Sequence, residues 1–84
     1  MARDIRMDIV DKIETFCKKQ GVSFIWALEG KAEGGLVMKF SRLLDGASNL
    51  TTTHRIKYSD IENCNGKIDI LVKEIKEKVK ELCK

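Results

Sequence analysis

Three runs between residues 22 and 58 alternate along their length, and the sequence on either side of them switches to a helical period. The first run, VSFIWALE at 22–29, sets Val22, Phe24, Trp26 and Leu28 against Ser23, Ile25, Ala27 and Glu29. The turn GKAEGG at 30–35 leads into LVMKFSRLL, where Leu36, Met38 and Phe40 oppose Val37, Lys39 and Ser41. Turn formers crowd DGASN at 45–49. The third run, LTTTHRIKY at 50–58, puts Thr52, His54, Ile56 and Tyr58 on one side and Thr51, Thr53, Arg55 and Lys57 on the other. Aromatic and β-branched content, period-two alternation and glycine-bearing boundaries together predict a three-stranded meander.

The flanks are amphipathic. From Asp4 to Gln20 the residues Ile5, Ile9, Val10, Ile13, Phe16 and Cys17 fall within an arc of about 140° on a helical wheel. Asp4 and Asp8 suit the positive end of that helix, Lys18 and Lys19 the negative end, and Gly21 supplies a left-handed stop. From Lys67 onward Ile68, Leu71, Val72, Ile75, Val79, Leu82 and Cys83 share an arc of about 120°. Between sheet and final helix, Ser59-x-x-Glu62 reads as a capping pattern and Asn65-Gly66 as a turn, so a short turn is expected before the helix.

The order α-β-β-β-α predicts a single α+β domain over residues 1–84. Its form is a two-layer sandwich, with a three-stranded antiparallel sheet and both helices packed on one face. The helix-facing set is then Phe24, Trp26, Leu28, Leu36, Met38 and Phe40, with Trp26 buried beside the two phenylalanines. Cys17 and Cys83 read as small core residues. The other sheet face stays open, and it carries an aliphatic strip of Ile25, Ala27 and Val37 beside Lys39.

A chain of 84 residues buries only roughly 60–65% of the surface exposed when unfolded, which argues against a deep catalytic cavity. Three widely spaced cysteines and no CxxC write neither a disulfide framework nor a zinc site. No apolar stretch reaches bilayer length and the first residues lack a signal-type run, so a cytoplasmic location without membrane association is expected. His54 and Cys64 carry no nucleophile–base signature, and the glycines at 30, 34 and 35 match no phosphate loop. The chain is therefore expected to be no enzyme and to hold no cofactor or metal.

Three kinds of function fit what is left. The first is a small non-catalytic module that binds an unknown protein partner, with Ile25, Val37, Lys39, Arg55, Lys57 and Ile70 as candidate contacts. An accessory or inhibitor protein of phage or mobile-element type, acting for example on a host defence complex, is one form of it. A net charge of +3 disfavours an acidic mimic of DNA within that class.

The second is nucleic-acid binding through Lys31, Lys39, Arg55, Lys57 and Lys67. The element order is shared with double-stranded RNA-binding domains, which dock across two minor grooves. Their Gly-Pro-x-His loop and lysine cluster are both missing here: the loop is Gly30-Lys31-Ala32-Glu33-Gly34-Gly35, and the last helix opens on the single Lys67. Its solvent side alternates Lys73, Lys76 and Lys80 with Glu74, Glu77 and Glu81, which favours pairing along the helix over phosphate binding. The third is homo-oligomerisation, for instance a dimer, through the open sheet face or an edge strand.

Overall fold

The computed structural model describes residues 4–43 and 49–83. Helix α1 (Ile5–Gln20) begins where Asp4 accepts the Arg6 N–H at 2.9 Å, a cap worth about 1 kcal/mol. It ends at Gly21, whose φ of 69° lies in the left-handed region, and the Val22 N–H closes the last turn onto the Cys17 carbonyl at 2.9 Å. Two residues then suffice to reverse the chain into the sheet.

Strands β1 (Ser23–Leu28), β2 (Gly35–Leu43) and β3 (Asn49–Lys57) form an antiparallel meander in the order β1-β2-β3. Its register sets Phe24, Phe40 and Thr52 in one row across the helix-facing side, Trp26, Met38 and His54 in the next, and Leu28, Leu36 and Ile56 in a third. The turn expected over 45–49 lies outside the described residues for 45–48, and Asn49 already belongs to β3.

The chain passes directly from β3 into a short helix α2 (Tyr58–Asn63), not into a turn capped by Ser59. Lys57 holds the cap position without a side-chain bond, since its ammonium can only donate, and the Tyr58 N–H meets the Gly34 carbonyl at 3.0 Å as the last rung of the β2–β3 ladder. That rung fixes where the helix starts, and α2 buries Ile61. The expected break at Asn65-Gly66 is present, with φ values of 50° and 82°. Helix α3 (Asp69–Leu82) follows, two residues later than the periodicity alone implies, because Lys67 still donates to the Cys64 carbonyl within the turn.

The two long helices lie on one face of the sheet and pack on each other. Ile9, Ile13, Ile75, Val79, Leu36, Met38 and Phe40 are wholly buried between the layers, each such side chain contributing roughly 1.5–3 kcal/mol. Cys17 is buried with them, whereas Cys83 is half-buried at the end of α3. Arg42 ties that end to the sheet by donating to the Leu82 carbonyl at 3.3 Å.

One expectation about the core fails. Trp26 is 39% exposed and Leu28 36% exposed, although both stand on the helix-facing side. No residue of β1 is buried; every fully covered strand residue belongs to β2 or β3. The helices pack on each other as well as on the sheet, with Lys76 lying over the Phe16 ring at 5.3 Å, and the strand side chains they cover completely are those of β2 and β3. Phe24 is half-buried, stacked on Phe40 with ring centroids 5.3 Å apart, and the rest of β1 overhangs.

Candidate interaction surface

The outer face of the sheet is organised by Glu29, which follows β1. Its N–H donates to the Gly35 carbonyl at 3.1 Å, and its Oε1 accepts from the Gly35 N–H at 2.9 Å and from Arg55 Nε at 2.6 Å. Its own carbonyl accepts the Tyr58 hydroxyl, and the Arg55 fork reaches on to the Glu33 carbonyl at 3.2 Å. One carboxylate thus joins the end of β1 to β3 across β2. Gly35 lets β3 approach β2 closely, because a Cβ there would stand 2.3 Å from the Ile56 carbonyl oxygen, and Gly34 leaves room for Glu29, whose Cβ would stand 2.6 Å from a Cβ at 34. The Arg55 bond holds the Glu29 carboxyl below the usual carboxylate range, against the opposing effect of partial burial.

Ile25, Val37, Lys39, Arg55 and Lys57 do share the outer face: Ile25 lies opposite Lys39, Val37 opposite Arg55, and Lys57 opposite Gly35. Ile25 is 63% exposed and Val37 half-buried. Arg55, however, is committed to Glu29 and Glu33, which leaves Lys39 and Lys57 on separate strands as the remaining cations of the strip. Ile70 is 70% exposed but stands on α3, in the other layer, and is not brought to this face. Lys31, in the β1–β2 loop, and Lys67, in the turn before α3, are exposed at positions of their own. Of the five positions considered for nucleic acid, Lys39, Arg55 and Lys57 thus share the outer sheet face, Lys31 lies near Glu29 and Lys67 in the turn before α3.

An open cleft of about 800 Å³ lies between the start of α1, the β1–β2 loop and α2, lined by Asp4, Arg6, Glu29, Lys31, Tyr58 and Glu62 among others. Three of its charges are engaged: Asp4 pairs with Arg6 at 2.9 Å, Glu29 with Arg55 from outside the cleft, and Arg6 also rests over the Tyr58 ring at 5.3 Å. His54 stands half-buried on the helix-facing side, where burial and Lys78 lower its pKa and Glu74 opposes them. Cys64 donates its thiol to the Ile61 carbonyl at 2.9 Å. Among the described residues no three His, Cys, Asp or Glu side chains are grouped to hold a metal ion, and no helix is long and apolar enough to cross a membrane.

The most apolar exposed feature is the margin formed by β1. Ile25 projects from one face, Trp26 and Leu28 from the other, and the strand SFIWAL carries no charge. It is also a sheet edge, with β2 on one side and, among the described residues, no strand on the other. The opposite edge, β3, bears Arg55 and Lys57, the kind of charge that keeps edges from pairing. Alternation puts Ile25 on the open sheet face, where it lies, and Trp26 in the core, where it does not. Apolar arcs of 120–140°, broad enough to face both a sheet and a second helix, were the signal that not every strand would be covered.

No family model, curated protein or solved structure matches the chain.

Proposed function

We propose that the protein is a small non-catalytic protein-binding module that works through the β1 margin. One observation carries this reading: an uncharged edge strand, none of whose residues is buried, displays Ile25, Trp26 and Leu28 together. An edge of this composition favours association, because an added strand satisfies the open backbone groups while the flanking side chains leave water. Tryptophan is also enriched among the residues that dominate binding energy at interfaces. An accessory regulator or inhibitor of a larger complex is the form of activity that such a surface supports. The engagement of Arg55 by Glu29 weighs against the basic strip as a phosphate-binding surface.

Affinity capture with three baits tests the reading: wild type, Trp26→Lys on the margin and Val37→Asp on the open face. A partner held by wild type and Val37→Asp but lost by Trp26→Lys is the expected result. Loss with Val37→Asp alone would move the binding surface to the open sheet face and overturn the assignment to the margin.

A further inference from the structure

We propose that the occupant of the β1 edge is a second copy of the same chain, paired antiparallel about a twofold axis through Trp26 so that two sheets join into one of six strands. The inference rests on the reading of the β1 margin as a protein-binding surface.

The backbone supplies the first argument. The Glu29 N–H points to β2, where it meets the Gly35 carbonyl at 3.1 Å, and the Tyr58 N–H reaches the Gly34 carbonyl from the other side of β2. Alternation along an antiparallel ladder then directs the N–H and C=O groups of Ile25 and Ala27 toward β2, and those of Phe24, Trp26 and Leu28 out of the free edge. A twofold axis perpendicular to a sheet keeps each side chain on its own face, so paired residue numbers must sum to an even value. A sum of 52 sets Trp26 opposite the second copy's Trp26, Phe24 opposite its Leu28, and Ile25 opposite its Ala27. All three outward-facing residues then exchange both backbone bonds. A shift by two residues in either direction leaves one of the three unpaired.

Charge supplies the second argument. The strand is neutral over Ser23–Leu28, so two copies meet without like charges opposed, and the nearest charge, Glu29, falls opposite Ser23 while bonded to Arg55. The β3 edge, with Arg55 and Lys57, would oppose cation to cation in many registers. Self-complementarity of this kind is what an isologous dimer requires. The pairing also covers the three large apolar residues that β1 exposes: Trp26 and Leu28 on the helix side, against Trp26 and Phe24 of the other copy, and Ile25 on the outer face. A contact one strand wide is small, which places the association in a concentration-dependent range.

Sedimentation equilibrium from low micromolar to millimolar concentration is the test. The mass is expected to rise from 9.6 kDa toward twice that value. Trp26→Lys, which sets like charges face to face on the axis, is expected to stay monomeric with unchanged circular dichroism, as is Ile25→Lys. An equimolar mixture of Trp26→Lys and Trp26→Glu chains is expected to regain the dimer, since residue 26 faces residue 26 in this register; if either of these two variants unfolds, Ile25→Lys and the wild-type concentration series still decide. A wild type that remains monomeric throughout, or a dimer unaffected by charge at 25 and 26, overturns the proposal. A monomer that still loses a foreign partner on Trp26→Lys would leave the protein-binding reading standing and remove only the second copy from it.

Discussion

The Glu29 carboxylate meets the Arg55 guanidinium at 2.6 Å across the width of the sheet while it accepts the Gly35 N–H at 2.9 Å. That pair closes the β1–β2 turn onto β3 and fixes where β1 ends. Gly35→Ala is expected to break the arrangement, because its Cβ would stand 2.3 Å from a backbone oxygen that cannot swing aside. Overpacking of this kind costs about 1–3 kcal/mol or more, measurable as a lower urea midpoint.

Acidification acts on the same pair. The folded pKa of Glu29 is depressed, chiefly by the Arg55 hydrogen bond, so its contribution is present above the unfolded carboxylate value and disappears as pH falls through the folded one. Glu29→Gln is expected to be less stable than wild type at neutral pH and to approach it at low pH. Unfolding midpoints measured down through the carboxylate range check this, and salt should narrow the difference because both side chains are partly exposed.

His54 gives a second pH signature. Its pKa is lowered from an ordinary 6.5 by burial and by Lys78 on α3, with Glu74 on the same helix opposing. The folded protein thus disfavours the protonated ring. Stability is full above about pH 6.5, the unfolded histidine value, and declines as pH falls from there through the folded pKa. A His54→Gln variant is expected to lose that part of the slope, seen by thermal or urea unfolding across the interval.

The cysteines should separate by reactivity. Cys17 is buried, and burial, with Cys83 adding to it, pushes its thiol up to about 11, whereas Cys64 and Cys83 are half-exposed. Because the thiolate is the reacting form, labelling of the native protein at mildly alkaline pH should spare Cys17, and denaturant should expose it. Mass spectrometry of the labelled peptides reads the outcome.

Core and surface substitutions should differ sharply on the same helix. Ile75→Ala empties a wholly buried position and is expected to cost about 2–5 kcal/mol. Ile70→Ala, at a position 70% exposed, is expected to stay within about 0.5 kcal/mol. Denaturant titration of the two variants provides the comparison.

The α-β-β-β-α frame, the two faces of each strand and the helix-facing triad Leu36, Met38 and Phe40 were legible in the sequence, because alternation and helical spacing report directly on which side of an element is apolar. The same alternation put Trp26 and Leu28 on the correct face but could not say how far the helix layer extends over it. That depends on how α1 and α3 divide their arcs between the sheet and each other, a property of packing and not of any one segment. The stretch expected to be a short turn is the helix α2: Ser59-x-x-Glu62 is a local cap signal, whereas the Tyr58 rung to Gly34, a contact distant in sequence, sets where the helix begins. Glu29 and Arg55 were assigned to one face without being recognised as partners, since their meeting requires the register of all three strands.

Amide hydrogen exchange along β1 at increasing protein concentration addresses the edge-pairing claim most directly. The N–H groups of Ile25 and Ala27 point into the β1–β2 ladder and those of Phe24, Trp26 and Leu28 out of the free edge. The account predicts that Ile25 and Ala27 are protected at every concentration, while Phe24, Trp26 and Leu28 exchange freely when dilute and become protected together as the concentration rises. Exchange at those three amides that is independent of concentration would contradict it.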